Sequence, residues 1–90
     1  MSLALQSGRI LVVEDEGSVA CDIRNQLIEL GYEQVGHATC GEEAIRMADQ
    51  LRPDLVLMDI ELTGAMDGIA AGQAVRAQFG LPVVFLTAFD

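Results

Sequence analysis

Four polar residues stand at the ends of short apolar runs, and their side chains suit the handling of a phosphoryl group at a bound cation. They are Glu14, Asp15, Asp59 and Thr87. Carboxylates, a carbonyl oxygen and water suit a hard octahedral ion such as Mg²⁺. Transfer of a phosphoryl group onto an Asp oxygen needs mainly such a cation and a positioned carboxylate. The backbone carbonyl of Glu61 would be a further ligand, and the Thr87 hydroxyl would donate a hydrogen bond to the phosphoryl group.

Each of these residues also has a simpler explanation on its own. An Asp that follows an apolar strand is often only the first polar residue of a loop, and a hydroxyl at a strand end often caps a turn. Carboxylates at the ends of two runs, with a hydroxyl at the end of a third, favour one shared site over independent coincidences. Clustered carboxylates would also repel one another and raise the pKa of one of them, which is a further reason to expect a cation.

Four short runs predict the strands of the fold. Residues 10–13, 55–58 and 83–86 are apolar and lead to the site residues, and the second run, residues 35–39, reads as a shorter strand. Continuous runs rich in β-branched residues are typical of strands that are covered on both faces. His37 falls within the second run and is interpreted as a strand or edge residue, not as a ligand.

Three amphipathic segments predict helices between the strands. Their apolar stripes are Val19, Ile23, Leu27 and Leu30, then Ala44, Ile45, Ala48 and Leu51, then Ile69, Gly72, Val75 and Phe79. The spacing of Thr39 and Glu42 predicts a capping box and a helix start near Gly41, and Asp67 is expected to cap the third helix. The three helices are expected to end at Gly31, Pro53 and Gly80.

The resulting β-α-β-α-β-α-β order predicts an α/β fold of three layers, a parallel sheet with helices on both faces. Functional loops of such sheets lie beyond the carboxyl ends of the strands. If the first and third strands are neighbours, Asp15 and Asp59 can share one ion. The connection between Asp59 and Asp67 is the longest and lies at this edge.

Composition argues against several other classes of protein. The net charge is −9 and the five basic residues are all Arg, so a phosphate backbone would be repelled. Cys21 and Cys40 form no CxxC pair, which predicts reduced thiols in a cytoplasmic protein and no soft-metal site. No apolar run approaches the roughly 20 residues that span a bilayer. Residues 1–8 lack a signal peptide's basic start and are expected to form a flexible leader.

Four segments together resemble the receiver domain of bacterial response regulators. They are residues 9–16 (RILVVEDE), 53–60 (PDLVLMDI), 66–69 (MDGI) and 81–88 (LPVVFLTA). These segments are similar to the family's opening strand with its acidic pair, its acceptor strand, its post-acceptor loop and its fourth strand. Each motif is weak alone, but the four follow in the family's order and spacing over residues 9–90.

The resemblance implies a flavodoxin-like fold with strand order 2-1-3-4-5. It implies that Asp59 accepts a phosphoryl group from a histidine kinase or a histidine phosphotransfer protein, in a Mg²⁺-dependent reaction that is not conventional enzyme turnover. Glu14 and Asp15 would be the acidic metal-site pair, with Asp59 and Glu61 completing the ligands. Thr87 and Ala88 would form the switch segment that contacts the phosphoryl group, and an output domain or a second copy would read the change.

The sequence departs from the family pattern in two ways. Glu14 stands where many members have Asp, and its longer side chain is expected to reach the ion through water. The family also has a fourth helix, a fifth strand, a fifth helix and a Lys that pairs with the phosphoryl group, whereas this sequence contains no Lys. The expectation is therefore that the natural protein continues beyond Asp90, and that the fourth strand is an exposed edge in this piece.

Two alternatives remain open from the sequence. One is a degenerate receiver that serves only as an interaction module, which a missing Lys would favour. The other is a Toprim-like divalent-metal enzyme, which also pairs an early strand-end Glu with a later acidic motif. Residues 59–61 (DIE) only approximate the Asp-x-Asp of that class. The segments around Thr87 and Asp67 argue against it.

Overall fold

The computed structural model describes residues 8–87, which form four strands and three helices in strict alternation. The strands are β1 (Arg9–Val13), β2 (Glu33–Ala38), β3 (Leu55–Asp59) and β4 (Val83–Leu86). The helices are α1 (Gly17–Glu29), α2 (Gly41–Leu51) and α3 (Gly68–Phe79). Most of the predicted leader and the predicted switch residue Ala88 lie outside the described residues.

All strand pairs in the sheet are parallel, in the order β2-β1-β3-β4. This order confirms the prediction that the first and third strands are neighbours. The register places Val13 beside Met58, and Asp59 beside Leu86. The carboxyl ends of β1, β3 and β4 therefore finish side by side, which is where the sequence places its acidic and hydroxyl residues.

Alternate residues of the strands divide the core between the two faces of the sheet. Leu11 and Val13 of β1 join the larger cluster, which α2 and α3 cover. Ile10 and Val12 face the other way and pack with Leu27 of α1. Helices lie on both faces, as predicted. Within residues 8–87, no helix is long and apolar enough to cross a membrane.

The outer strand β4 is less covered than the centre of the sheet. Val84 keeps 45% of its surface exposed, whereas the central residues Val12 and Val56 are fully buried. In the described part of the chain β4 has a partner strand on one side only. The expected exposed edge is therefore found.

Two predicted apolar stripes are wrong at their ends. Val19 and Leu30 were assigned to the inner face of α1, but they are 42% and 69% exposed, and Ala20 and Leu27 are the buried residues. Leu30 is the residue after the last helical turn, so the helix no longer directs it at the sheet. Ile69, in the first turn of α3, is likewise 39% exposed.

Several helix ends follow the sequence, and one cap differs. Asp67 caps α3 by accepting a hydrogen bond from the amide of Ala70, and Gly80 ends that helix in the left-handed conformation. At α2 the reciprocal acid is Glu43 and not Glu42: its Oε1 accepts from the amide of Thr39 at 2.8 Å. The N-cap position falls on Cys40, one residue later than the predicted capping box requires, so the acid three positions on is Glu43.

Candidate functional site

An acidic cleft lies at the carboxyl ends of the parallel strands. Its volume is about 460 Å³. The polar residues that line it are Glu14, Asp15, Glu16, Asp59, Glu61 and Thr87. The predicted site residues within the described part of the chain are therefore brought together, while Ala88 lies outside it. Val19, Ile23 and Leu86 form the apolar side of the cleft, which accounts for the exposure of Val19.

Three carboxylates form the centre of the cleft. Glu14, Asp15 and Asp59 each present an oxygen, and these atoms all lie within 4.8 Å of one another. Glu14 and Asp15 follow β1 directly, whereas Asp59 is the last residue of the neighbouring strand β3. Parallel pairing of the two strands therefore brings Asp59 beside two acids that precede it by 45 and 44 residues in the sequence.

Glu14 is the buried member of the cluster. Only 5% of its surface is exposed, and its Oε2 accepts a hydrogen bond from the amide of Glu16 at 3.1 Å. The pKa of Glu14 is raised from 4.5 to about 7, chiefly because burial disfavours the charged form. A hydrogen bond with Asp59 and repulsion from Asp59 and Asp15 contribute to this rise, and the amide of Glu16 opposes it. A positive charge in the cleft would therefore favour the ionised form of Glu14.

The two Asp carboxylates are held by backbone amides. Asp15 Oδ2 accepts from the amide of Thr63 at 3.0 Å, and this bond lowers the pKa of Asp15. Asp59 Oδ1 accepts from the amide of Glu61, two residues on, at 3.0 Å. Both bonds come from the loop between β3 and α3, so this loop fixes the orientation of the two half-buried acids.

Gly68 brings the start of α3 against the end of β3. Its amide donates to the carbonyl of Ile60 at 3.0 Å. A Cβ at this position would lie 1.8 Å from the carbonyl oxygen of Asp59, far inside van der Waals contact. Sequence reasoning matched this glycine to the family loop but did not find the close approach. The Asp-Gly pair at 67–68 is the signal that could have indicated it.

His37 lies in β2, as predicted, and makes a contact that the sequence did not indicate. Its Nε2 is 2.7 Å from the backbone carbonyl oxygen of Glu14. The amide of Glu14 donates to the carbonyl of Ala38 at 3.0 Å. The backbone of Glu14 is thus held on both sides by neighbouring residues of β2.

The donor set of the cleft fits Mg²⁺. It consists of the carboxylate oxygens of Glu14, Asp15 and Asp59, and oxygen atoms are the ligands that this ion prefers. Nitrogen or sulfur ligands are not among the three clustered residues. The pKa of Glu14 is raised first by burial and then by its acidic neighbours, so a bound cation would stabilise its ionised form.

Comparison with known sequences identifies the same segment. Residues 10–90 match the family model of the response regulator receiver domain. The transcriptional regulatory protein PdtaR of Mycobacterium tuberculosis is 42% identical over 82 residues, which cover 91% of this chain and 40% of that protein. The response regulator GacA of Pseudomonas aeruginosa is 36% identical over 80 residues, which cover 88% of this chain and 37% of that protein. The chain thus spans less than half the length of these relatives.

Solved structures agree with the sequence comparison. A signal receiver domain of a modulated diguanylate cyclase from Desulfovibrio desulfuricans superposes with a TM-score of 0.87 at 42% identity, covering 93% of this chain and 67% of the other. The response regulator PhyR from Brucella abortus gives a TM-score of 0.85 at 36% identity, covering 92% of this chain and 34% of the other.

The fold, the sequence match and the solved structures all point to one family. The observed strand order is the predicted flavodoxin-like order as far as β4, and the match covers nearly the whole chain. The Toprim-like alternative is not supported, since residues 10–90 match the receiver-domain family and not a Toprim-like enzyme. The chain belongs to the response regulator receiver domain family.

Proposed function

We propose that this chain is the phospho-accepting receiver domain of a two-component signalling system, with Asp59 as the acceptor. The observation that carries the proposal is the cluster of Glu14, Asp15 and Asp59, whose carboxylate oxygens lie within 4.8 Å of one another beside a strand-end hydroxyl. A structural role alone would not call for three mutually repelling acids at one point.

In the proposed reaction, Asp59 is the nucleophile. Its Oδ1 accepts from the amide of Glu61, which orients the carboxylate for in-line attack on phosphorus. A new P–O bond forms to Asp59 while the bond from phosphorus to the donor breaks, and the donor leaves with that electron pair. Glu14, Asp15, Asp59 and the carbonyl of Glu61 would hold Mg²⁺, which when bound neutralises charge on the phosphoryl oxygens.

Thr87 is proposed to read the phosphorylated state. It follows β4 and lines the same cleft as Asp59. Its hydroxyl can donate a hydrogen bond to a phosphoryl oxygen, and Ala88 would move with it as part of the switch segment. Movement of an exposed strand end toward a new charge is the kind of local event that biases a two-state surface.

The wider setting of the chain is also proposed. The donor would be a histidine kinase or a histidine phosphotransfer protein, and residues 9–90 would form the receiver with residues 1–8 as a leader. The domain would act in the cytoplasm, would not bind nucleic acid directly given its net charge of −9, and would signal to an output domain or a second copy. A relative named protein-glutamate methylesterase/protein-glutamine glutaminase matches over only 20% of its length, so we propose no enzyme turnover for this domain.

Intact mass measured after incubation with acetyl phosphate and Mg²⁺ tests the acceptor. We expect one phosphoryl adduct on the wild type and on Asp22→Asn, and none on Asp59→Asn. Asp22 is an exposed Asp of α1 and therefore a matched control for loss of one carboxylate. The Asn variant keeps the shape of the side chain but cannot form the acyl phosphate.

A folded wild type that takes no adduct in the longest available protein would contradict the proposal. It would favour the degenerate receiver, acting purely through protein contacts. One similar structure, the anti-anti-sigma factor PhyR from Bartonella quintana, was solved in complex with the anti-sigma factor NepR. An adduct on both the wild type and Asp59→Asn would instead move the acceptor to another residue.

Asp15→Ala is expected to weaken Mg²⁺ binding more than Glu14→Gln. The amide of Thr63 keeps Asp15 ionised and oriented, so Asp15 offers a full charge to the ion. Loss of a charged ligand should cost about tenfold or more in affinity. The pKa of Glu14 is raised to about 7, so near neutral pH a proton competes with the ion for this carboxylate. Calorimetric titration of each variant with Mg²⁺ measures the difference, and equal affinity in wild type and Asp15→Ala would exclude the metal assignment.

A further inference from the structure

The side chain of His37 contacts the backbone between Glu14 and Asp15, the two acids that follow β1. Its Nε2 lies 2.7 Å from the carbonyl oxygen of Glu14, which is a short hydrogen bond for a nitrogen donor. A carbonyl oxygen can only accept, so Nε2 must carry the proton. The carbonyl of Glu14 belongs to the peptide unit that joins Glu14 to Asp15, and the orientation of this peptide determines where Asp15 begins.

Two hydrogen bonds therefore hold the backbone of Glu14. The amide of Glu14 donates to Ala38 as the last rung of the β1–β2 pairing, and the carbonyl of Glu14 accepts from the His37 ring. Beyond this point β1 has ended, and no strand pairing orients the peptide that follows. The hydrogen bond from His37 therefore orients one more peptide unit after the last strand pairing, at the start of the acidic cleft.

The hydrogen bond of His37 affects the proposed metal ligand Asp15 and not the packing of the core. His37 is exposed, and it lies at the end of the edge strand β2, so its ring adds little to buried packing. The Asp15 carboxylate, in contrast, is one residue from the clamped peptide and must meet both Asp59 and the amide of Thr63. A rotation of the Glu14–Asp15 peptide would move this carboxylate away from both.

We propose that His37 is a positioning residue for the metal site, which it organises by donating a hydrogen bond from Nε2 to the Glu14 carbonyl. The inference rests on the Mg²⁺ site of the proposed function and adds to it a residue outside the acidic cluster. Groups that support a metal ligand from the second layer typically contribute about tenfold or more to metal affinity.

His37→Leu and His37→Gln separate the hydrogen bond from the size of the side chain. The amide nitrogen of Gln occupies nearly the position of the imidazole Nε2 and can donate to the same carbonyl, whereas Leu cannot. Mg²⁺ affinity, measured by calorimetry on the full chain, is expected to fall about tenfold in His37→Leu and to stay close to the wild type in His37→Gln. Glu33→Gln, on the exposed start of the same strand, is the control and should bind as the wild type does.

A second readout needs no metal. The ¹³C chemical shift of the Glu14 carbonyl reports its hydrogen bond directly, and His37 is the single histidine of the sequence, so its ring signals need no assignment. In metal-free protein we expect a slowly exchanging Nε2 proton, and a Glu14 carbonyl shift that changes in His37→Leu and is restored in His37→Gln. A rapidly exchanging ring proton with an unchanged carbonyl shift would overturn the proposal.

The affinities separate this inference from the proposed function. Equal Mg²⁺ affinity in wild type and His37→Leu, or an equal loss in the Leu and Gln variants, would overturn the role of the donor. A wild type with no measurable Mg²⁺ affinity would remove the site and the inference together. A wild type that binds Mg²⁺ and shows the His37 effect, but takes no phosphoryl group from acetyl phosphate, would contradict the proposed function and leave His37 as a positioning residue.

Discussion

Gly68→Ala is expected to lower the free energy of unfolding by about 3 kcal/mol or more, the upper end of what overpacking costs. The added methyl group would lie 1.8 Å from the carbonyl oxygen of Asp59 and 2.8 Å from the Cα of Ile60. Both neighbours are backbone atoms, so no side chain can rotate away to make room. Relief requires α3 to move from the end of β3, or β3 to move from its neighbours.

Gly17→Ala is the matched control for this change. Gly17 is the first residue of α1, and a Cβ there would meet nothing within 4 Å. Alanine has the higher helix propensity, so the control should be unchanged or more stable by about 0.5–1 kcal/mol. Chemical denaturation of both variants beside the wild type gives the comparison.

The same substitution also tests the site. Asp59 is the last residue of β3, and the displaced carbonyl is its own, so its carboxylate should lose its alignment with Glu14 and Asp15. We expect phosphoryl uptake from acetyl phosphate to be slower in Gly68→Ala even at temperatures where the variant is folded. Stability and uptake equal to those of Gly17→Ala would show that α3 can recede freely, and that the close approach has no functional consequence.

The strand ends are the part of the molecule that the sequence predicts best. A buried parallel strand must be apolar throughout, so its first polar residue marks where it leaves the sheet. That rule places Glu14 and Asp59 correctly, and parallel pairing then places them together without further information. The acidic cleft was therefore predictable as a set of residues, although the roles of its members remain proposals.

Helix faces and caps were less predictable because small shifts decide them. The periodicity of α1 includes Val19, yet the first turn of the helix overhangs the cleft and leaves that residue exposed. Glu42 and Glu43 are both near the start of α2, and the N-cap at Cys40 decides in favour of Glu43. A shift of one residue in a helix start is below what apolar spacing can resolve.

Contacts of backbone atoms were not predictable at all. The approach of Gly68 to Asp59 and the bond from His37 to the Glu14 carbonyl both depend on where main-chain atoms lie. Sequence patterns carry side-chain chemistry, and neither the acceptor of His37 nor the neighbour of Gly68 is a side chain. Only the assembled sheet shows that these two residues lie against the backbone of Asp59 and Glu14, which line the acidic cleft.

Glu14→Gln is expected to make the metal-free protein more stable at pH 8, by about 3 kcal/mol. The pKa of Glu14 rises from 4.5 to about 7 on folding, so the folded state holds this proton more tightly than the unfolded state does. Stability then falls as the pH rises from 4.5 to 7, and the full cost remains above 7. Gln carries no charge, while its Oε1 can still accept from the amide of Glu16 and its amide group can donate to Asp59.

The pH dependence identifies the cause of the gain. Since both side chains are neutral well below pH 4.5, the difference between wild type and Glu14→Gln should vanish there and grow between pH 4.5 and 7. Glu29→Gln, an exposed Glu in the last turn of α1, is the control and should change stability by less than about 0.5 kcal/mol at every pH. Denaturant titrations in the presence of a chelator, repeated across this range, measure the three proteins together.

Addition of Mg²⁺ should reduce the stability advantage of Glu14→Gln over the wild type, because a ligand that binds only the folded state stabilises it. At pH 8 the ion would supply the positive charge that the cluster of Glu14, Asp15 and Asp59 requires, so the wild type should gain more stability from Mg²⁺ than Glu14→Gln does. A gain for Glu14→Gln that is independent of pH would point to packing as its cause. An unchanged or lowered stability at pH 8 would mean that Glu14 is not destabilising when ionised, and that the cleft tolerates all three charges without a cation.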